Sequence, residues 1–258
     1  MLPWFVSFTM RFKKCASMRN MAIDMGNTRI KVGLFSGQKM LKVMVDLNKN
    51  DLHGVVTDEG IDKIIASSVV SDLPDFEKET GLDNILKLTP ELEVPVKNVY
   101  RTPTTLGMDR LAGVIGAFHL YKGSNCLVID TGTTITYDFL DNQGSYHGGG
   151  IAPGIELRFK SLAEHTHKLP LLKGTWDTAP LIGNDTEGSI RSGVLNGVLS
   201  EIEGIIRRYK LKFSNLKVII CGGNASYFES RVKVPVIVAP HLVLIGLNSI
   251  LMYHAQNK

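Results

Sequence analysis

Three aspartates stand in local sequences that suit chemistry on a charged ligand. Asp24 and Asp130 each follow an apolar run and begin the pattern Asp-x-Gly-x-Thr, whereas Asp109 precedes Arg110 just after a loop-forming segment. Carboxylate oxygens are good ligands for hard cations, and a glycine allows backbone N–H groups to approach phosphate oxygens closely. A third carboxylate can accept the proton of a reacting hydroxyl. These residues therefore predict a site that binds a metal–polyphosphate ligand and acts on an alcohol.

The two Asp-x-Gly-x-Thr segments form an internal repeat. Residues 21–35 and 126–139 each contain an apolar strand, the aspartate-glycine turn and a second strand rich in β-branched or aromatic residues. Each segment predicts a tight β-hairpin whose glycine, Gly26 or Gly132, permits a positive φ. Two such turns facing each other would give a cleft with a carboxylate on each side, which suits nucleotide phosphates and their cation.

This repeat resembles the actin, Hsp70 and sugar-kinase superfamily, whose two related domains hold ATP between them. One copy would be a weak signal, because aspartate and glycine are common in turns, but two copies in the same strand context are more specific. The sequence contains neither a Walker A motif nor a Rossmann GxGxxG motif. The resemblance implies an α/β fold of two duplicated ribonuclease H-like (actin-like ATPase) domains with a cleft between them. We expect a domain of residues 21–122 and a domain of residues 123–258, preceded by an over-long start or loose extension of residues 1–20.

The segment between the two repeats, residues 100–110, reads Tyr-Arg-Thr-Pro-Thr-Thr-Leu-Gly-Met-Asp-Arg. Its proline and glycine predict a loop, so that Asp109 and Arg110 fall in the first turn of the following helix. The helix dipole favours an aspartate there in any protein, but it does not favour an arginine. Two interpretations stay open. The pair is either a proton-accepting carboxylate beside a guanidinium that binds a substrate carboxylate, or a capping aspartate in a local ion pair.

Apolar periodicity predicts the elements that position these residues. We expect helices over 109–121, 186–209 and 241–254, and buried strands within 61–70, over 218–221 and over 236–238. Thr186 is a suitable N-cap for the long middle helix. Apolar residues repeat there at every fourth position, namely Ile190, Val194, Val198, Ile202 and Ile206. Gly193 and Gly197 lie beside that stripe and predict the close approach of another element.

Composition limits the possible partners. The chain has 258 residues, is 44% hydrophobic and carries a formal net charge of +4. The basic excess lies in the first twenty residues, so composition gives no support to nucleic-acid binding. No segment is long and apolar enough to cross a bilayer, and three widely separated cysteines are typical of free thiols in a reducing compartment. We expect a cytoplasmic protein without nucleic-acid or membrane partners.

The motifs together resemble those of the type III pantothenate kinases, from about Met21 to the C-terminus. Five ordered motifs are far more specific than any one of them. They are Asp24–Thr28, Pro103–Arg110, Asp130–Thr133, Gly148–Gly154 and the helix opened by Thr186, followed by a family-like tail over 240–248. Thr134 stands where alanine is common in the family, and the extension of residues 1–20 is the main difference.

The resemblance implies ATP-dependent phosphorylation of pantothenate to 4′-phosphopantothenate, the first step of coenzyme A biosynthesis, with Asp109 as the catalytic base. It implies that ATP is bound by Asp24, Met25, Gly26, Asn27, Thr28, Arg29, Ile30, Lys31 and Thr133. It implies that pantothenate is bound by Tyr100, Gly107, Met108, Asp109, Arg110 and Thr186, with Arg110 on its carboxylate. It further implies Mg²⁺ bound with ATP near Asp24, K⁺ or NH₄⁺ at Asp130, and a homodimer whose second subunit completes the substrate pocket.

Two other functions remain as alternatives. A sugar or acetate kinase of the same superfamily would share the two acidic turns, but the Leu-Gly-x-Asp-Arg motif and the short chain argue against it. The family also includes members described as accessory regulators of transcription. Loss of the aspartate at position 109 or a basic surface would favour that role, and the sequence has neither feature.

Overall fold

The computed structural model of the protein describes residues 18–26, 30–68, 73–174, 176 and 179–257. Residues 1–17 of the predicted extension lie outside the described residues, as do three of the predicted ATP-binding residues, Asn27, Thr28 and Arg29. The described chain forms two compact units. The first contains residues 18–122, 144–146 and 241–257, and the second contains residues 123–143 and 147–240.

The elements follow one another in mixed α/β order. The strands are β1 (Arg19–Met25), β2 (Ile30–Ser36), β3 (Lys39–Val45), β4 (Lys63–Ser68), β5 (Ile85–Lys87), β6 (Lys97–Asn98), β7 (Cys126–Thr131), β8 (Thr134–Leu140), β9 (Ser145–Pro153), β10 (Lys217–Cys221) and β11 (Ile237–Val238). The α-helices are α1 (Leu52–Glu59), α2 (Leu73–Thr80), α3 (Met108–Leu120), α4 (Ile155–Glu164), α5 (Thr186–Arg191), α6 (Gly197–Lys212), α7 (Ala225–Glu229) and α8 (Leu242–Asn257). Short 3₁₀ turns cover Lys49–Asp51 and Pro103–Thr105, and a π-helical segment covers Ser192–Asn196.

The first unit is built on a sheet with the strand order β3-β2-β1-β4-β5. Strand β1 is antiparallel to β2, as the predicted hairpin requires, and parallel to β4. Successive side chains of a strand point to opposite faces of the sheet. Met21, Ile23 and Met25 accordingly form a core with Leu52 of α1 and Phe76 of α2. Asp24 therefore points to the opposite face, together with the other even-numbered residues of β1.

Helix α8 packs on that opposite face of the first sheet. Gly33 of β2 lies against Leu244, and the Asn20 side chain donates a hydrogen bond to Oδ1 of Asn248 at 2.9 Å. Gly246 lies against the backbone of α3 at Ala112. The sequence-based division had put residues 241–258 in the second domain, whereas these contacts group α8 with the first unit.

The second unit is built on a sheet with the order β11-β10-β7-β8-β9. Strand β7 is antiparallel to β8 and parallel to β10, so the second hairpin repeats the arrangement of the first. The two-residue strand β6 pairs with Ser145 and Tyr146 at the start of β9, and these two residues group with the first unit.

The predicted long helix is present as α5, the π-helical segment and α6 in succession. All five apolar residues of its predicted stripe are buried in the core of the second unit. Residues four apart in an ideal α-helix drift by about 40° per step, because a turn takes 3.6 residues. The wider π turn opposes this drift and helps to keep the stripe facing the sheet.

The glycines beside that stripe do not mark a close approach. Apart from the backbone of their own helix, no atom of the described residues would lie within 4 Å of a Cβ atom built at Gly193 or Gly197, so the predicted contact is wrong. Over the part of the chain that the structure describes, the helices are too short or too polar to span a bilayer.

Candidate active site

Asp24 lies near the carboxyl end of β1, between charged and polar neighbours on the two adjacent strands. It is paired in register with Lys31 of β2, and its Oδ1 accepts a hydrogen bond of 3.2 Å from Ser67 of β4. Burial raises the pKa of the Asp24 carboxyl above its ordinary value, and the negative charge of Asp109 raises it further. The positive charge of Lys31 and the Ser67 hydrogen bond oppose this shift without cancelling it. Asp24 and Asp109 are thus near enough for their charges to interact.

Asp109 is held in the first turn of α3. Its Oδ1 accepts a hydrogen bond of 2.8 Å from the backbone N–H of Arg110. A Cβ atom at Gly107, the N-cap residue, would lie 2.5 Å from that same oxygen, so this orientation of the carboxylate requires a glycine there. The N-terminus of α3 has Gly107 as its N-cap and no side-chain cap hydrogen bond, so Asp109 does not cap the helix. The negative charge of Asp109 also raises the pKa of Asp24, so the two carboxylates interact.

Arg110 is buried against an aromatic pair rather than exposed to solvent. Only 8% of the residue is exposed, and its guanidinium carbon lies 5.8 Å from the centre of the Tyr100 ring. The Tyr100 ring in turn stacks on Tyr146, with 6.2 Å between ring centres and 9° between planes. The side chain of Arg110 is therefore held by the loop that precedes its own helix, in the same unit as both carboxylates.

Among the described residues at the first turn, Gly26 offers its backbone and Lys31 a positive charge to a ligand. Met25 is buried in the core of the first unit, and Ile30 packs against the same core. Gly26 is exposed, and Lys31 is partly buried opposite Asp24. Any contribution of Met25 to a nucleotide site would therefore come from its backbone.

The second turn is held by close backbone contacts. The N–H of Gly132 donates to Thr134 and the N–H of Gly154 donates to Thr133, at 3.0 and 2.9 Å. Gly132 permits a positive φ but does not adopt one. The positive φ belongs to Gly222, at +90°, where a Cβ atom would overlap the Asp130 carboxylate and the Thr131 backbone. The exposed side chain of Thr133 lies at the tip of this turn.

Thr186 lies in the second unit beside a large pocket. The N-cap of α5 is Asp185, whose Oδ1 accepts a hydrogen bond of 2.6 Å from the N–H of Gly188, so the prediction of Thr186 as N-cap is wrong by one residue. Thr186 is exposed, and it lines a pocket of about 1170 Å³ together with Arg158, Ser161, Glu164, Ser189 and Ile190.

The predicted site residues thus form two groups. Asp24, Lys31, Tyr100, Asp109 and Arg110 belong to the first unit, together with Gly26, Gly107 and Met108. Asp130, Thr133 and Thr186 belong to the second unit. In the first group, the interactions join Asp24 to Lys31 and Asp109, and Arg110 to Tyr100.

Sequence reasoning missed two polar neighbours of the first group. Ser67 donates to Asp24, and it could have been found because parallel strands end at the same edge of a sheet. The second is His241, which directly precedes α8. Its pKa is lowered by burial and by the positive charge of Lys31, so it lies near that lysine. No local motif links residues 31 and 241, and only the docking of α8 on β2 brings them together.

Comparison with known proteins identifies the family. The family model of the type III pantothenate kinases matches residues 20–208. A type III pantothenate kinase of Cytophaga hutchinsonii is 43% identical over 235 residues, which cover 91% of this chain and 99% of that relative. The chain belongs to the type III pantothenate kinase family. Another member, from Bacteroides fragilis, is 41% identical over 244 residues, covering 91% of this chain and 98% of its own length.

Solved structures confirm the fold. A conserved Baf family protein of Campylobacter jejuni matches with a TM-score of 0.59 and 21% identity, covering 91% of this chain and 98% of that one. MreB5 of Spiroplasma citri bound to ADP matches with a TM-score of 0.52 and 12% identity, covering 94% and 98%. These likenesses concern the fold, and they confirm the predicted actin-like α/β architecture. Membership of the type III pantothenate kinase family confirms the predicted enzyme class, a phosphotransferase that acts on pantothenate.

Proposed function

We propose that this type III pantothenate kinase transfers the γ-phosphate of ATP to the hydroxyl of pantothenate with Asp109 as the base. The product is 4′-phosphopantothenate, in the first step of coenzyme A biosynthesis. The main support is the interaction of two carboxylates, Asp24 and Asp109, at the end of β1 and the start of α3. Phosphoryl transfer commonly uses two acidic residues: one holds the metal that binds the phosphates, and the other accepts the proton of the acceptor hydroxyl.

The proposed reaction is a single displacement. The hydroxyl oxygen of pantothenate bonds to the γ-phosphorus, the bond from that phosphorus to the bridging oxygen breaks, and ADP leaves. The hydroxyl proton passes to the carboxylate of Asp109. Since Oδ1 of Asp109 is held by the Arg110 amide, we assign Oδ2 as the proton acceptor. Anchoring of one oxygen on a helix fixes the direction of the other, and such positioning contributes strongly to rate.

We infer that ATP binds to the residues from Asp24 to Lys31 and to Thr133. The exposed Gly26 offers a backbone without a side chain, and Lys31 offers a positive charge for phosphate oxygens. Carboxylate oxygens are the donors that Mg²⁺ prefers, and the interacting charges of Asp24 and Asp109 create a negative potential that favours a cation. Mg²⁺ bound with ATP near Asp24 would neutralise charge on the transferred phosphate.

We infer that Asp130 holds the monovalent cation, K⁺ or NH₄⁺. Its carboxylate lies against Gly222, where no side chain fits, and the hydroxyl of Thr131 donates to the Cys221 carbonyl at 2.8 Å. Oxygen donors of this kind suit a hard cation. The cation would supply positive charge beside the second turn.

We infer that pantothenate is held by Tyr100, by residues Gly107–Arg110 and by Thr186. The guanidinium of Arg110 can form two parallel hydrogen bonds to a carboxylate, and its packing against Tyr100 limits its movement. The pocket beside Thr186 combines hydroxyl and charged groups with apolar side chains, as expected for an acid with a branched aliphatic part.

We further infer that the enzyme is a homodimer and works in the cytoplasm. Leu181 and Ile182, just before the pocket residues 183–186, are 83% and 82% exposed, and large exposed apolar groups of this kind mark interaction surfaces. A double change to aspartate at 181 and 182 should convert the dimer to a monomer in light scattering. The same change at Leu211, which is 85% exposed on α6, should leave the mass of the particle unchanged. An unaltered mass in the double variant would contradict this interface.

The test of the proposed function compares Asp109→Asn with Asp58→Asn, an exposed carboxylate on α1. ADP release with MgATP is measured with pantothenate, glucose or acetate as acceptor, with and without K⁺. Asparagine keeps an Oδ1 that can accept from Arg110 and removes the repulsion of Asp24, so we expect an unchanged KM and a melting temperature no lower than that of the wild type. The kcat should fall by about 100-fold or more, and the Asp58 variant should match the wild type.

Two outcomes would contradict the proposal. Wild-type turnover by Asp109→Asn would exclude this residue as the base. Absence of pantothenate-dependent ADP release by the wild-type protein would exclude the reaction itself.

A further inference from the structure

Glu201 of α6 connects two elements of the second unit that both lead to the second turn. Its Oε1 accepts a hydrogen bond of 2.8 Å from the Tyr137 hydroxyl on β8. Its Oε2 accepts a hydrogen bond of 2.6 Å from Nη2 of Arg158 on α4. Both oxygens of one carboxylate are therefore used, each by a different element. Hydrogen bonds of a carboxylate with a guanidinium are among the stronger ones in proteins.

Arg158 extends this connection to the backbone. Its Nε donates a hydrogen bond of 2.9 Å to the carbonyl oxygen of Pro153, the last residue of β9. One guanidinium thus joins the Glu201 carboxylate to the end of a strand. The next residue, Gly154, is the N-cap of α4, so the position of the Pro153 carbonyl fixes the point at which the helix begins.

Gly154 is in close contact with the second turn. Its N–H donates to the Thr133 carbonyl at 2.9 Å. A Cβ atom at this position would lie 2.5 Å from that carbonyl oxygen and still closer to the carbonyl oxygen of Gly132. No side chain fits between them, so a displacement of Gly154 must displace the turn as well.

The connections form a closed ring. From Thr133, one path runs along β8 to Tyr137, and the other runs through Gly154 and Arg158. Both paths meet at Glu201, which lies on the long helix packed against the sheet. A turn held from both sides in this way keeps its shape better than one held by its strands alone, because neither path can shift without breaking a hydrogen bond.

We propose that Glu201 is a positioning residue for the nucleotide: through Arg158 and Tyr137 it holds the Thr133 turn in the shape that binds ATP. This inference rests on the proposed role of Thr133 in ATP binding. Glu201 itself is not among the residues that line the pocket beside Thr186, whereas Arg158 is. A change at Glu201 therefore leaves every pocket-lining residue in the sequence, and Arg158 keeps its hydrogen bond to the Pro153 carbonyl.

The test measures nucleotide binding directly, by calorimetric titration of the full-length protein with MgATP in the absence of pantothenate. In Glu201→Gln the side chain keeps its size and can still accept from Tyr137, but it loses the charged bond to Arg158. We expect the Kd for MgATP to rise at least 5-fold. The KM for ATP should rise in parallel, while the KM for pantothenate and the melting temperature stay close to the wild-type values.

Two further variants identify the path. The control variant is Glu203→Gln, which changes another carboxylate of the same helix. Oε1 of Glu203 accepts a hydrogen bond of 2.7 Å from the backbone N–H of Lys233, which is not part of the ring. This variant should bind MgATP like the wild type. Arg158→Gln should weaken MgATP binding, and the double variant Glu201→Gln/Arg158→Gln should be no weaker than Arg158→Gln alone, because the two residues act in series.

The outcomes separate the two proposals. An unchanged Kd in Glu201→Gln, an equal rise in Glu203→Gln, or additive effects in the double variant would each overturn the positioning role. A wild-type protein that binds MgATP but does not phosphorylate pantothenate would overturn the proposed function, and the Kd comparison would still decide the role of Glu201.

Discussion

Replacement of Gly246 by alanine should separate the two helices that cover the active-site face of the first sheet. A Cβ atom at this position of α8 would lie 2.6 Å from the carbonyl carbon of Ala112 and 2.9 Å from the amide nitrogen of Gly116, both on α3. It would lie closer still to the Ala112 carbonyl oxygen. Carbon atoms pack at about 3.5–4.0 Å, so the helices must move apart by about 1 Å or more. Since the obstacle is backbone on both sides, no side-chain rotation can relieve it.

The expected cost follows from two opposing terms. Alanine favours a helix interior over glycine by about 1 kcal/mol. Overpacking of a tight core contact costs about 1–3 kcal/mol and occasionally more. Separation of the helices also weakens the packing of Leu244 and Leu247, which are almost fully buried. The overlap is with backbone, so the overpacking cost should lie at the upper end of its range, and we expect a net loss of about 2 kcal/mol in the free energy of unfolding. Because α3 carries Asp109, kcat should fall as well.

The assay is urea unfolding followed by circular dichroism, with Gly197→Ala as the matched control. Gly197 also lies in a helix, but nothing stands within 4 Å of its Cβ position, so this variant should be more stable by up to about 1 kcal/mol. The two glycines therefore should respond in opposite directions to the same substitution. If Gly246→Ala were as stable as Gly197→Ala, the tight crossing of α3 and α8 would be refuted.

Two further predictions follow from burial of ionisable groups. Asp24→Asn should abolish activity and yet raise the melting temperature at pH 7. The folded-state pKa of Asp24 is raised, so its ionised form destabilises the folded state above the unfolded pKa of about 3.9, and the gain from asparagine should fade below about pH 4. A lower melting temperature at pH 7 would contradict this. Cys126 and Cys221 are buried, and burial raises the pKa of Cys126 to about 11, so a Cys15→Ser variant should not react with a thiol reagent at pH 8 until it is unfolded. Rapid reaction of the native variant would show that the thiols are accessible.

The hairpins and the long helices could be predicted from the sequence because their signals are local. The strand–turn–strand pattern of residues 21–35 and 126–139 repeats the same residue types, and the stripe from Ile190 to Ile206 repeats at helical spacing. Both patterns record which side of an element is buried, and burial dominates the choice of structure over such lengths. The position of the N-cap at Asp185 rather than Thr186 shows the usual uncertainty of one residue at a helix end.

Contacts between distant segments could not be predicted in this way. The docking of α8 on the first unit depends on Asn20 meeting Asn248 and on Gly246 meeting Ala112, and no local pattern relates those positions. A glycine in a helix has the same sequence signature whether it lies at a crossing, as Gly246 does, or in open space, as Gly197 does. The same limit explains why Ser67 and the ring through Glu201 were not foreseen.

The environment of Asp24 indicates that this position is arranged for a ligand rather than for stability. A carboxylate that is largely removed from water and repelled by Asp109 costs free energy at neutral pH, at about 1.4 kcal/mol for each unit by which its pKa is raised. Lys31 and Ser67 offset only part of that cost. A neutral side chain of the same shape would remove that cost. The charge of Asp24 is therefore explained by the ligand that it binds. Repulsion between two carboxylates is reduced when a cation lies near them, and this repulsion therefore strengthens cation binding at the end of β1.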